Sequence, residues 1–209
     1  MINEESEYSN KLYSVDYYVK EQLTRKELED LELVLVNNNY RAVVADISFI
    51  EIFRDIPILK VGMVNYDSVR YNMNEIKNMF KINPYIVEEI EFIFPKKYMG
   101  YTSKFWRGLI NDKASDGVRV RPMIDLYEYS DKEIIFLVEF LRKIGINTLG
   151  VSTGTETQLV NLQYLEKKKT FFPNKWDIKI LGINSETILR EFLKSDTADI
   201  CGTSTLFDI

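Results

Sequence analysis

A short turn rich in hydroxyl groups has residue types suited to ligand binding. It consists of Ser152, Thr153, Gly154 and Thr155, and it lies between an apolar segment at 148–151 and a helical pattern. Backbone N–H groups and hydroxyls at the end of a strand can hold a phosphate or a sugar oxygen. The same residues are common caps of an ordinary strand-to-helix loop, so the turn alone leaves both interpretations open.

The chain of 209 residues contains no histidine. This excludes Ser-His and Cys-His nucleophile pairs and the commonest zinc ligand. Acid–base chemistry must therefore come from Asp, Glu, Lys or Tyr. No carboxylate spacing typical of a calcium loop is present, and we expect neither a metal nor a cofactor. The single cysteine, Cys201, excludes an internal disulfide and fits a reducing cytoplasm.

Charge and hydropathy exclude two kinds of partner. The sequence has 27 basic and 32 acidic residues, a net charge of −5. Its densest basic cluster, at 167–169, lies at the end of a predicted helix, where cations favour the helix dipole. No apolar run approaches the ~18 residues of a membrane span, and the acidic start lacks the order of a signal peptide. We therefore expect a cytoplasmic protein that binds neither nucleic acid nor membrane.

Strand-like and helix-like patterns alternate along the chain. Predicted strands lie at 11–17, 41–45, 58–64, 89–95, 118–124, 148–151, 177–182 and 198–202. Predicted helices begin after Thr24 and at Ser48, cover 72–80, surround Trp106, and cover 131–144, 157–169 and 185–193. This alternation predicts a parallel sheet, and eight repeats predict a compact (β/α)8 TIM barrel. An open doubly wound sheet is the alternative.

Two further expectations concern organisation. No change of composition and no Pro- or Gly-rich linker divides the chain, so we predict a single domain over 1–209. Only a few residues follow the eighth strand, which predicts a short or missing last helix. A gap in the outer helical ring would expose apolar barrel surface, so we expect a homodimer, another oligomer or a protein partner.

Four segments resemble, in order, motifs of the deoxyribose-phosphate aldolase family of class I aldolases. The segment at 90–95 resembles the fourth-strand motif that carries a catalytic aspartate. The segment at 149–154 resembles the sixth-strand pattern lysine-threonine-serine-threonine-glycine. The segment at 178–183 resembles the seventh-strand pattern of a lysine followed by paired glycines, and 198–204 resembles the eighth-strand ending alanine-aspartate … glycine-threonine-serine.

The resemblance implies a barrel in which one lysine forms a Schiff base, a second lysine lowers its pKa, and an aspartate relays protons. In this sequence Gly150 occupies the Schiff-base lysine position. The second lysine is Lys179, and Glu91 replaces the relay aspartate. Asp16 is a weaker match. The candidate catalytic residues are therefore Lys179, Glu91 and Asp16.

The resemblance also implies a cleft for a small phosphorylated sugar or an aldehyde at the ends of the last three strands. Ile183 stands where a second small residue would help the phosphate approach. The candidate phosphate-binding residues are Ser152, Thr153, Gly154, Gly182, Gly202, Thr203 and Ser204.

Three functions remain open. The protein could be an altered aldolase that has lost catalysis and binds a ligand or a partner. It could be an active carbon–carbon lyase in which Lys179 is the nucleophile, Glu91 relays protons and Lys60 replaces the missing lysine neighbour. It could also be a non-catalytic interaction or structural module.

Overall fold

Eight parallel strands form a closed barrel in chain order. A computed structural model describes residues 14–64, 77–78, 80–81, 86–94, 96, 103–152 and 161–207. The strands are β1 (Val15–Tyr18), β2 (Ala42–Asp46), β3 (Leu59–Val64), β4 (Glu89–Ile93), β5 (Arg119–Asp125), β6 (Thr148–Ser152), β7 (Asp177–Leu181) and β8 (Ile200–Thr203). Pairing of β1 with β8 closes the sheet, which confirms the predicted barrel and rejects the open sheet. The prediction of a single domain over 1–209 stays a prediction.

The described helices lie between the strands. They are α1 (Arg25–Asn37), α2 (Ser103–Ser115), α3 (Asp131–Ile144), α4 (Leu162–Lys169) and α5 (Glu186–Lys194). The helix expected from Ser48 is wrong in kind, because only a 3-10 helix forms there, over Ile50–Phe53. The Asp46 carboxylate accepts hydrogen bonds from the backbone and hydroxyl of Ser48, and this local turn competes with a regular helix. The described residues do not include most of the helix predicted at 72–80. They also do not include the first residues of the helix predicted at 157–169.

Local sequence signals explain where the helices begin and end. Thr24 and Glu27 form a capping box at the start of α1, and Ser130 and Glu133 form another at the start of α3. Gly145 ends α3 with a φ of 94°, a left-handed conformation that glycine adopts without steric cost.

The chain after β8 runs without a helix through the described residues up to 207. It is held by Tyr40, whose hydroxyl accepts a hydrogen bond from the Phe207 N–H at 2.8 Å and donates one to the Phe207 carbonyl at 3.3 Å. Tyr40 is buried and packs edge-on against Tyr17 of β1. This extended segment therefore covers part of the surface beside α1.

The strands separate two kinds of core. Their outward residues pack with the helices in one large apolar cluster. Inside the barrel, Ala42, Val44 and Val61 form a smaller apolar cluster with Tyr18 and Met63 against it. Charged side chains occupy several other inward positions, on β1, β4, β5 and β7, and these residues form the candidate site.

Candidate functional site

Two neighbouring strands place charged residues opposite each other. Glu89 and Glu91 alternate along β4, and Arg119 and Arg121 alternate along β5. The register pairs Glu89 with Arg119 and Glu91 with Arg121. Since successive side chains of a strand face opposite sides, and Ile90 packs in the outer core, these four residues face the barrel interior.

Lys179 lies at the centre of this interior. Its Nζ is 2.7 Å from Asp16 Oδ2 and 2.6 Å from Glu91 Oε1. All three residues are completely buried. The structure therefore brings Asp16 and Glu91 into direct contact with Lys179, although the role proposed for each of the three remains a prediction.

Asp16 has a second basic partner. The Arg41 guanidinium binds both of its carboxylate oxygens, with Nε 2.6 Å from Oδ1. Burial alone would raise the pKa of Asp16, but Lys179 and Arg41 outweigh it and hold the pKa below its ordinary value. Asp16 is thus kept as a carboxylate and is a poor proton donor at neutral pH.

Arg121 connects Glu91, which is a partner of Lys179, with two further carboxylates. Its Nε is 2.7 Å from Glu89 Oε1 and 3.7 Å from Glu91 Oε1, and its Nη2 is 3.1 Å from Asp177 Oδ2. Burial works against the charged guanidinium, but the carboxylates, Glu89 first, raise the pKa of Arg121. We call this set the interior ion network, and its members are Asp16, Arg41, Glu89, Glu91, Arg119, Arg121, Asp177 and Lys179.

Tyr18 covers the amine. Its ring centroid is 4.6 Å from Lys179 Nζ, a cation–π distance, and its hydroxyl donates a short hydrogen bond to Glu91. Burial and the neighbouring Glu91 raise the pKa of Tyr18 well above its ordinary range. The ring also lies close to Gly202, where an added Cβ would approach Tyr18 Cε2 to 2.6 Å. Gly202 therefore makes room for a side chain of the protein.

Gly150 faces a filled space. A Cβ added there would lie 3.0 Å from Met123 Cγ and 3.7 Å from Arg121 Cδ. A lysine in this position would have to displace Met123. The side chains of β5 thus occupy the place in which the resemblance puts the Schiff-base lysine.

Several donors at the predicted phosphate cleft are already used within the protein. The N–H groups of Gly182 and Ile183 both donate to the Gly202 carbonyl at 3.1 Å. The Thr203 hydroxyl donates to the Thr205 carbonyl and accepts from the Thr205 N–H.

The remaining phosphate candidates fall into two groups. Ser152 and Ser204 lie half-buried at the ends of β6 and β8. Thr153 and Gly154 lie outside the described residues. Phosphate binding stays a prediction for all of these positions.

Sequence reasoning missed much of the interior ion network. It singled out none of Tyr18, Arg41, Glu89 and Arg121 as a site residue. The signal that could have found two of them is the matched alternation of charges along β4 and β5. Lys60 is wrong as a neighbour for Lys179, because it alternates with the inward-facing Val61 and so faces outward.

Two findings bear on ligands and surroundings. Within the described ranges, no three Asp, Glu or Cys side chains are arranged to hold a metal ion. None of the helices in the described part of the chain is long and apolar enough to cross a membrane.

No protein-family model matches the sequence, and no curated protein matches it. The structure, in contrast, is similar to solved aldolases. A tetrameric deoxyribose phosphate aldolase from Aeropyrum pernix is 15% identical with a TM-score of 0.73, over 91% of this chain and 85% of that one. An aldolase designated QR15 is 14% identical with a TM-score of 0.74, over 98% and 92%.

A third similar structure belongs to an enzyme with a different name. The 3-hexulose-6-phosphate synthase from Salmonella typhimurium is 14% identical with a TM-score of 0.62, over 91% of this chain and 89% of that one. At such identities the likeness establishes the architecture alone. The chain has the (β/α)8 barrel fold of the deoxyribose-phosphate aldolases.

Proposed function

We propose that this protein is a deoxyribose-phosphate-aldolase-like barrel that has lost Schiff-base aldol chemistry and acts by binding a ligand or a partner. The observation that carries the proposal is the burial of the Lys179 amine and its contact with two carboxylates. The amine is completely buried and contacts two carboxylates, at 2.7 Å and 2.6 Å.

The chemistry of amine catalysis explains why this matters. A lysine attacks a carbonyl carbon with a free lone pair, and the carbonyl must lie next to Nζ. Here Asp16 and Glu91 engage the amine, and the Tyr18 ring covers it at 4.6 Å. Gly150 supplies no amine, and Met123 fills the space beside it. These contacts support a core role for Lys179.

One observation favours the second candidate, an active carbon–carbon lyase. Lys179 Nζ and Glu91 Oε1 are 2.6 Å apart, which is the separation that direct proton transfer between a nucleophile and its relay needs. Such a lyase would require Tyr18 to move, because its ring and hydroxyl contact both groups.

The ligand that we propose is a small phosphorylated sugar at the ends of β6, β7 and β8. Ser152 and Ser204 support it, since both are half-buried at strand ends where barrel proteins bind phosphate. Comparing 2-deoxyribose 5-phosphate with 2-deoxyribose in a thermal-shift titration tests this proposal. Stabilisation by the phosphorylated sugar alone is expected, and equal or absent shifts would reject a phosphate site.

We also propose a homo-oligomer or a protein partner. Ile135 and Phe136 are adjacent on α3 and remain 45% and 51% exposed, and Leu33 on α1 is 62% exposed. Such side chains are often covered in an assembly. Sedimentation equilibrium of the wild-type chain and of Phe136→Ser tests this, with a smaller mass expected for the variant.

Reductive trapping tests the loss of amine chemistry. The intact protein is incubated with acetaldehyde or 2-deoxyribose 5-phosphate, reduced with borohydride, digested and weighed by mass spectrometry. We expect modification of exposed lysines, such as Lys132, to show that the reagents work, and no adduct on Lys179. An adduct on Lys179 that disappears in Lys179→Met would overturn the proposal in favour of the lyase.

A further inference from the structure

A pocket of about 400 Å³ opens between the end of β1, one face of α1 and the residues that follow β8. Tyr17 and Val19 belong both to its wall and to the outer core, in which the strands pack with the helices. Lys179 and Glu91 are not among the described residues that line it. The pocket is therefore separate from the interior ion network and lies mainly on the outer side of the sheet.

The extended chain after β8 explains why space is left here. In a (β/α)8 barrel the helices form an outer ring around the strands. In this protein the described residues after β8 continue without a helix, and Ser204 and Leu206 from this segment line the pocket. An extended segment offers fewer side chains than a helix to fill the space beside α1. The volume that remains is within the range of small-molecule sites.

The face of α1 that lines the pocket has an acidic part and an apolar part. Glu27, Asp30, Leu31 and Val34 share this face, because residues three or four apart on a helix are neighbours. The two acidic residues come first along the helix, and the two apolar residues follow. A ligand that lies along α1 would therefore meet carboxylates at one end and hydrocarbon at the other.

The apolar part of the pocket extends beyond α1. Leu206 contributes an exposed apolar side chain from the segment after β8, and Tyr17 and Tyr18 contribute aromatic residues from β1. Covering the exposed surface of Leu206 with a ligand would favour binding through the hydrophobic effect. Aromatic rings also attract organic cations, because their faces carry partial negative charge.

The acidic part determines the charge of the ligand. Glu21, Glu27 and Asp30 line the pocket together with one basic residue, Lys20. The start of α1 adds a positive dipole charge of only about half a unit, which does not offset this excess of carboxylates. Glu27 is engaged by Thr24 in the capping box, whereas Glu21 and Asp30 form no ion pair with another described residue. The pocket therefore favours a cation and disfavours an anion.

We propose that this pocket is a second binding site, whose ligand is a small organic amine with an apolar body. The protonated amine lies near Glu21 and Asp30, and the apolar body lies along Leu31, Val34 and Leu206. This inference goes beyond the proposed function and does not depend on the reactivity of the lysine inside the barrel.

Three probes with the same apolar body test the proposal. 3-Phenylpropan-1-amine is a cation at neutral pH, 3-phenylpropan-1-ol is uncharged, and 3-phenylpropanoate is an anion. Each is titrated into the nitrogen-15-labelled protein, and the shifts of the backbone N–H signals give both the affinity and the place of binding. We expect the amine to bind at least about fivefold more tightly than the alcohol, with the carboxylate weakest. The largest shifts should come from residues 27–34 of α1.

Two variants separate the acidic part of the pocket from the apolar part. Asp30→Asn should weaken the amine about twofold to fivefold and leave the alcohol unchanged, because it removes one exposed charge. Leu206→Ser should weaken both probes alike, because it removes apolar wall. Glu139→Gln is the matched control, since it removes an exposed charge from α3, outside the pocket. Equal affinities for amine and alcohol in wild type, or an amine preference that Asp30→Asn leaves intact, would overturn the proposal.

A last measurement separates this site from the proposed phosphate site. Ser204 belongs to both, so the two sites adjoin. Asp30→Asn should leave the thermal shift caused by 2-deoxyribose 5-phosphate unchanged, and a variant that lost the response to both ligands would overturn the claim of a second site. Failure of 2-deoxyribose 5-phosphate to stabilise the wild-type protein, with amine binding intact, would instead reject only the proposed phosphate site.

Discussion

The two sides of the barrel interior are filled in different ways. On β2 and β3 the inward residues Ala42, Val44 and Val61 pack as an apolar core. On β1, β4, β5 and β7 the interior holds ion pairs such as Arg121 with Glu89. The first side is held by packing alone, whereas the second depends on each buried charge keeping its partner. A buried charged side chain in a barrel can therefore be part of the core and need not take part in catalysis.

The largest effect should come from the charged side. Arg121→Met leaves Glu89 buried without its closest partner, and we expect a loss of about 3–5 kcal/mol in the free energy of unfolding. Urea unfolding followed by fluorescence measures it. The matched control is Arg119→Met on the same strand, where the side chain is 54% exposed and the loss should stay below about 1 kcal/mol. Equal losses for the two variants would contradict the distinction between core and surface charge.

The apolar side should give a smaller effect. Val44→Ala removes two buried methyl groups and leaves a cavity, so we expect a loss of about 2 kcal/mol. Val36→Ala on α1 is the control, because Val36 is 38% exposed and buries less surface. If Val44→Ala lowers the free energy of unfolding more than Arg121→Met does in the same urea series, the apolar side is the more sensitive to substitution. That outcome would contradict the expected order of the two sides.

Gly150 sharpens the comparison within the charged side, because its strand β6 lies between β5 and β7. Gly150→Ala brings a Cβ within 3.0 Å of Met123 Cγ, and we expect a loss of about 1 kcal/mol from overpacking. Gly108→Ala is the control with the opposite sign. It lies in α2 with nothing near the added Cβ, so it should stabilise the protein by about 0.5–1 kcal/mol. Thermal unfolding of both variants checks the two signs, and a stabilising Gly150→Ala would mean that the space beside Met123 is not filled.

Much of the fold could be predicted from local patterns. The capping box of Ser130 and Glu133 and the terminal Gly145 are local signals that suffice to specify where α3 begins and ends. The helix expected from Ser48 failed because a side-chain turn at Asp46 captured the start. Local signals thus suffice where no competing hydrogen bond is available.

The candidate site could be predicted only in part. The motifs identified Lys179 and Glu91, which lie 88 residues apart and meet at the barrel centre. They did not show that Arg121 and Tyr18 would close around the pair. Such contacts depend on the register between strands, which one sequence does not specify without the fold. The alternation of charges on β4 and β5 was visible, but its pairing was not.

The smallest expected effect is a pH dependence of the folding stability that comes from Asp16. Its pKa in the folded protein lies below the ordinary value of about 3.9, because Lys179 and Arg41 outweigh its burial. A carboxylate whose folded pKa is lowered contributes stability above the unfolded pKa and loses it as the pH falls through the folded pKa. The difference in stability between wild type and Asp16→Asn should therefore be constant above about pH 5 and shrink below about pH 4. Urea midpoints at a series of pH values measure this difference. A difference that grows as the pH falls would mean that Asp16 enters the interior ion network as the neutral acid, and the charged side of the barrel would then not be closed by ion pairs.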